Sequence, residues 1–397
     1  MTETKTRDSN FELLRIFAMF IIILHHFALY GIFFPPESAS QFSFNFFVRE
    51  ILWGAPGNIG NWLFIFTSGF FISEKSASKE KIFRLWFQIF STSVIIGLAF
   101  YFAKIPTIGF TNTAQTEYFE HGFAAAARPA GLKDLMFSFM PCYFGNNWFA
   151  NTYLVFLLFV PILDKAVRAM NESEHKKAIF VMIALGTIVP LGPRERFFYP
   201  SPVFAFITGF FIAKYIRLYD PIFFKNTKRN VAYAAGLFIF IAVYKIFARK
   251  VFAIIPFPSH DDIEKLARIF DSNNSLPVML CGLFLFMTFK NLKVPHNPFI
   301  NSIAATTFGV YLIHENPLVK YWLYHAVLKS DSFVDSPFLI PYLIAGSIAI
   351  FAACSVIELL RKSIFKIMKL PAWILCKNRF AHPKKAEAKK SLAKNSL

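Results

Sequence analysis

The sequence predicts an all-α, polytopic integral membrane protein with about ten transmembrane helices and both termini on the cytoplasmic side. Three observations predict it. The apolar surplus is too large for one water-soluble core, about ten apolar stretches approach bilayer length, and basic residues recur after every second stretch.

The composition sets the class. Of 397 residues, 55% are hydrophobic, only 17% are charged, and 53 are Phe. A soluble domain is about 45–50% apolar and about 25% charged, so lipid is expected to solvate part of this surface. The net charge of +18 is the kind that first suggests a nucleic-acid partner. Here the charge lies in short runs between apolar stretches, as in the cytoplasmic loops of membrane proteins, and no nucleic acid is expected. Cys142, Cys281, Cys354 and Cys376 show no metal-ligand spacing and read as isolated thiols without a disulfide framework. The basic N-terminus (Lys5, Arg7) precedes an apolar helix with no small-residue cleavage site, so an uncleaved signal anchor is expected.

The spans are expected at about 11–33, 57–73, 84–103, 147–166, 178–192, 197–216, 231–248, 275–290, 300–327 and 338–360, against a bilayer core of about 30 Å. The loops after the even-numbered spans carry Lys75, Lys79 and Lys81; then Lys165, Arg168, Lys176 and Lys177; then Lys214, Arg217, Lys225, Lys228 and Arg229; then Lys290 and Lys293. The odd-numbered loops hold a larger share of the acids, among them Glu117, Glu120, Asp261, Asp262, Glu264, Asp271, Asp331 and Asp335. This alternation orients the chain in the bilayer. Residues 1–370 form the membrane domain in this reading, and 371–397 a basic, disordered cytoplasmic tail that lies on anionic lipid. Two odd-side loops, about 104–146 and 249–274, are long enough to suggest function. Thr67-Ser68-Gly69-Phe70-Phe71-Ile72-Ser73 is echoed by Ile207-Thr208-Gly209-Phe210-Phe211-Ile212-Ala213, either a structural repeat or chance in a Phe-rich chain, and the small residues would let two helices approach closely.

Ionisable residues inside membrane helices are expensive and mark candidate chemistry. Arg15 and His26 stand eleven positions apart in the first span, almost three helical turns, so they share a face about 16 Å apart along the axis. Glu12 lies on that face, placed to pair with Arg15. His25 points about 100° away. The pattern suits a long anionic substrate held by the Arg15 fork, with His26 acting at the far end as general base or transient acyl carrier and His25 as its alternate. The bland reading is a snorkelling Arg15 and a structural His pair.

The ninth span places Tyr311, His314 and Glu315 on one helix face, at a depth like that of His26, with Pro317 kinking the helix beyond. A carboxylate beside two imidazoles orients one of them; otherwise the cluster only locks helices together. The fourth span opens Asn147-Trp148-Phe149, with Tyr153 a turn further on. These are interfacial anchors or the lining for a sugar acceptor. No P-loop, dinucleotide fingerprint or H-E-x-x-H occurs, and no metal is expected.

Together these residues resemble the acyltransferase 3 family of membrane acyltransferases, which modify bacterial polysaccharides and lipid-linked sugars. The likeness is carried by Leu14-Arg15 through His25-His26, Ser68-Gly69-Phe70, Asn147-Trp148-Phe149 with Tyr153 and Pro161, and Phe308-Gly309-Val310-Tyr311-Leu312-Ile313-His314. The resemblance implies about ten helices in a bacterial cytoplasmic membrane. It implies an acyl-CoA donor, acetyl-CoA first, and transfer to a hydroxyl of a surface polysaccharide or lipid-linked sugar. Arg15 would hold the CoA phosphates, with Lys75 and Arg84 beside it. His26 would act with His25, His314 and Glu315, and Trp148, Asn147, Tyr153 and Tyr311 would meet the acceptor. One departure stands out: many members carry an Arg soon after Ser-Gly-Phe, where this chain reads Ser73-Glu74-Lys75. The rival from another class is a transporter of a lipid-linked or acidic sugar, which would move substrate without consuming acyl-CoA.

Overall fold

The computed structural model describes residues 8–32, 43–73, 78–110, 112–143, 147–188, 201–254 and 268–368. Among these the chain is mostly helical, and its strands are a two-residue antiparallel pair, β1 (Pro106–Thr107) and β2 (Arg128–Pro129). The helices are α1 (Ser9–His26), α2 (Phe44–Leu52), α3 (Ala55–Phe71), α4 (Lys79–Ala103), α5 (Asn112–His121), α6 (Phe123–Ala126), α7 (Leu132–Ser138) and α8 (Trp148–Ala169). They continue as α9 (Glu172–Ile183), α10 (Pro202–Tyr219), α11 (Thr227–Ile254), α12 (Leu276–Asn291), α13 (Pro298–Ala304), α14 (Thr307–His314), α15 (Lys320–Trp322) and α16 (Leu339–Ile367).

Among the described residues, six helices are long and apolar enough to cross a membrane: α1 with its continuation to Gly31, α4, α8, α10, α11 and α16. Helices α3 and α12, of 17 and 16 residues, lie at the second and eighth expected spans. Exposed Ile239, Phe240, Val243 and Phe247 on α11, and Ile340, Ile344 and Ile348 on α16, present the apolar surface that the composition anticipates.

Local chemistry sets the helix starts. The Ser78 side chain accepts from Lys81 N–H to cap α4, Asn171 and Glu174 form a reciprocal cap on α9, and Asn297 caps α13. Prolines open α3, α10, α12 and α13, where a missing N–H costs no helical hydrogen bond.

Two expectations need correction. The fifth span begins in a polar turn at Glu172 and passes into a π turn at Ala184–Ile188; its remainder, and 197–200 of the sixth, lie outside the described residues. The ninth span is not one kinked helix. It is broken into α13, α14, a turn at 315–319, α15 and a π turn at Leu323–Val327. Pro317 cannot donate to the helical ladder and disfavours helical geometry at Asn316. The Asn316 Oδ1 then accepts from Leu318 N–H at 3.0 Å, which stabilises the turn.

Helix α3 lies at the centre, packed by α1, α10 and α12, and α11 backs α12. Glycine makes the approach possible. A β-carbon at Gly60 would stand 3.0 Å from the Ala18 carbonyl on α1, and one at Gly282 would stand 2.8 Å from the Trp62 β-carbon. The two echoed motifs meet directly, with Gly69 facing Phe210 and Gly209 facing Ile65. The other faces of α1 are taken by α12, α13, α14 and α16. The long 104–146 segment folds over the His26 end of α1, where Tyr118 donates to the Tyr30 carbonyl at 2.9 Å. Within it, Asp134 grips Arg128 through both oxygens, at 2.6 and 3.1 Å, and this pairing raises the Arg128 pKa. Cys281 and Cys354 are buried, Cys142 is half-buried, and all three are free thiols; Cys376 lies outside the described residues.

Candidate active site

The two ends of α1 carry different chemistry. At the N-terminal end, Arg15 Nη1 lies 3.3 Å from Glu12 Oε2, the pair expected from their spacing. Tyr153 of α8 is within electrostatic reach of Arg15 and hydrogen-bonds the Ser68 side chain on α3. Tyr153 also stacks against Phe156 and Phe206. Arg84 is half-buried near the start of α4, and Lys75 lies outside the described residues.

At the other end, His26, His314 and Glu315 converge. All three are buried, at 7%, 0% and 5% exposure. His26 Nδ1 is 2.9 Å from His314 Nε2 and 3.2 Å from Glu315 Oε2. His314 Nδ1 is 2.6 Å from the Val310 carbonyl. A carbonyl only accepts, so His314 carries its proton on Nδ1 and offers a lone pair at Nε2. With both rings neutral, His26 then carries its proton on Nδ1, directed at His314, and its Nε2 is the basic nitrogen. Glu315 divides its oxygens. Oε1 accepts from Tyr30 O–H at 3.0 Å with Lys320 Nζ at 3.9 Å, and Oε2 remains beside His26. Among the described residues, no hydrogen bond reaches the buried Oε2.

These three donor atoms lie within 4.8 Å of one another, a set able to hold a metal ion. The N···N separation bears on that. Two nitrogens bound tetrahedrally at about 2.0–2.1 Å from zinc stand about 3.3–3.4 Å apart. The 2.9 Å between His26 and His314 is the length of a hydrogen bond.

His25 is turned away from this cluster. Its Nδ1 is 3.0 Å from Gly54 N and 3.2 Å from the Leu52 carbonyl, at the elbow between α2 and α3. A β-carbon at Gly57 would stand 2.2 Å from the His25 ring, so the elbow closes on the imidazole. Tyr311 accepts from Phe149 N–H at 3.3 Å and packs edge-on against His314, which joins the start of α8 to the cluster. Asn147 is buried, with neither side-chain polar atom hydrogen-bonded among the described residues, and Trp148 is exposed.

Tyr30 and Lys320 were missed by sequence reasoning. Tyr30 lies four residues beyond His26, the spacing of one helical turn. Lys320 is an ionisable residue inside an apolar stretch, which is itself a signal. Lys320 Nζ sits 4.4 Å from the Tyr30 ring centre, so charge and aromatic face close the same corner.

A family model described as an acyltransferase domain, that of acyltransferase 3, matches residues 8–359, nearly the whole chain. No curated protein and no solved structure matches.

Proposed function

The chain belongs to the acyltransferase 3 family and is a multi-pass membrane acyltransferase; on that premise we propose that it moves an acetyl group from cytoplasmic acetyl-CoA to a hydroxyl of a surface polysaccharide or lipid-linked sugar. The observation that carries this reading is the contact between His26 Nδ1 and His314 Nε2, which leaves His26 Nε2 as a base.

In this reading ten segments cross the bacterial cytoplasmic membrane, with both termini inside. The Arg15 end of α1 is the cytoplasmic mouth and the His26 end faces outward. Arg15 holds the CoA phosphates through its guanidinium fork, with Arg84 and Lys75 nearby.

The chemistry balances without a further reactant. The sugar hydroxyl oxygen attacks the thioester carbonyl carbon, and its proton passes to His26 Nε2. The C–S bond breaks, and His26 returns that proton to the thiolate, giving free CoA and the ester. His314 and Glu315 stabilise the imidazolium through the Nδ1 side. This direct transfer uses no metal and no acyl-histidine.

The test is acetyl transfer from labelled acetyl-CoA by the purified protein to sugar acceptors, with and without a chelator. Full turnover by both His26→Ala and His314→Ala would remove the mechanism, and loss of turnover on chelation would replace it with a metal-assisted one. Transport of sugar into proteoliposomes without use of acetyl-CoA would favour the transporter.

A further inference from the structure

A second charged cluster lies on the opposite side of the His25–His26 pair, and the acyl-transfer chemistry leaves it without a role. It surrounds Trp53, the residue that ends α2. Arg49 Cζ lies 4.3 Å from the Trp53 ring centre, Arg268 Cζ 5.0 Å and Lys245 Nζ 5.3 Å. Lys245 also donates to the Trp53 carbonyl. The two carboxylates of the cluster are Glu50, paired with Arg49, and Asp271, which lies 2.6 Å from Lys245 and 3.5 Å from Arg268.

The members differ in what they are free to do. Lys245 and Asp271 are buried together and neutralise one another. The backbone closes tightly on this pair. Gly54 sits at φ +123°, and a β-carbon there would stand 2.4 Å from Asp271 Oδ2. Asn58 Nδ2 holds the Asp271 carbonyl at 2.7 Å. Arg268 is the exception: its side chain is 39% exposed and its contact to Asp271 is long. Its buried Nε makes no hydrogen bond among the described residues. Among the described residues three cations meet two carboxylates, and Arg268 is the cation whose side chain solvent reaches most.

This cluster is tied to the catalytic pair by a short path. Gly54 N–H, next to Trp53, lies 3.0 Å from His25 Nδ1, and the His25 ring centre is 5.1 Å from that of His26. The elbow that carries Trp53 therefore touches His25, whose ring neighbours that of His26. The protein's own cations already lie against the Trp53 ring, and an arginine fork held there takes a phosphate or carboxylate oxygen pair.

We propose that Trp53 and Arg268, with Arg49 and Lys245 behind them, form an acceptor subsite for an anionic sugar, one that bears a phosphate or a carboxylate. The proposal rests on the acyltransferase reading for its place in the reaction, but binding can be measured without it. It also gives His25 a task apart from proton transfer, since His25 holds the elbow that presents Trp53.

The experiment is a titration of the full-length protein in detergent by saturation-transfer NMR, with glucose 1-phosphate, glucuronate and glucose as probes. At least one acidic probe is expected to bind about tenfold or more tighter than glucose, as a charge-assisted hydrogen bond would give. That preference should fall as salt is raised and should be lost in Arg268→Gln. The probe that binds more tightly identifies phosphate or carboxylate as the anion. Equal binding of all three probes, or a preference that persists in a folded Arg268→Gln, overturns the proposal. Should Arg268→Gln fail to fold, a preference in the wild-type protein that is insensitive to salt overturns it equally. Acetyl-CoA turnover is assayed separately, so anion binding without turnover leaves the subsite standing and removes the acyltransfer role.

Discussion

Gly69 of α3 faces Phe210 of α10 so closely that a β-carbon at Gly69 would stand 2.8 Å from the Phe210 α-carbon. The obstructing atom is backbone, so a side chain cannot simply turn away. Gly69→Ala is expected to destabilise the protein by about 1–3 kcal/mol, the usual cost of overpacking a tight core. Thermal unfolding in detergent measures it. An unchanged midpoint would mean that this seam is looser than described.

The relay predicts a graded loss of turnover. His26→Ala should lower kcat by about 10²–10⁴-fold, the range for removal of a general base. His314→Ala and Glu315→Gln each remove a hydrogen-bonding or charged partner of the imidazolium and should cost about ten- to a hundredfold. Because the two partners share one nitrogen, their double variant should lose less than the product of the single losses. Effects confined to KM would place these residues outside proton transfer.

Arg15 predicts a donor effect. Arg15→Ala should raise the KM for acetyl-CoA by about ten- to a hundredfold, the worth of a hydrogen bond to a charged group. Arg15→Lys should recover only part, because an ammonium cannot grip a phosphate with two parallel N–H groups. Steady-state kinetics with acetyl-CoA varied at fixed acceptor provides the comparison, and an unshifted KM in Arg15→Ala would free this residue from donor binding.

Glu358 on α16 predicts a stability effect remote from the chemistry. This fully buried carboxylate takes Arg361 through both oxygens at 2.8 Å and also meets Gln88 at 3.1 Å and Lys362 at 3.2 Å. Glu358→Ala would strand the buried guanidinium, at a cost of about 3–5 kcal/mol. Glu358→Gln, which keeps the shape and loses the charge, should fall between the two. Equal unfolding midpoints for Glu358→Ala and wild type would contradict this account.

Much of the helical architecture was legible because hydropathy reports which stretches avoid water, and six of them are helices long and apolar enough to cross a membrane. The Arg15–Glu12 pair and the meeting of His26 with His314 were also legible, from helical spacing and from equal depth. The break after His314 was less so. Pro317 announces a kink, but only tertiary packing decides whether the helix resumes or stops. Tyr30 and Lys320 escaped because they sit beyond that break and beyond the last turn of α1, where periodicity ceases to predict direction. The Trp53 cluster escaped for another reason: Arg49, Lys245 and Arg268 come from three distant stretches, and no spacing rule brings them together.

The shared face of Arg15 and His26 makes α1 a ruler. Eleven residues of helix set the backbones of Arg15 and His26 about 16 Å apart along the axis. If Arg15 anchors the donor by its phosphates, as proposed, the donor would need to carry its acyl group on an arm of about that length. Acetyl phosphate, with its anion next to the acyl carbon, could satisfy one end only. Selection of the donor would then depend on reach, and one extra residue in α1 between positions 15 and 26 would turn the base about 100° off the path, with every side chain intact.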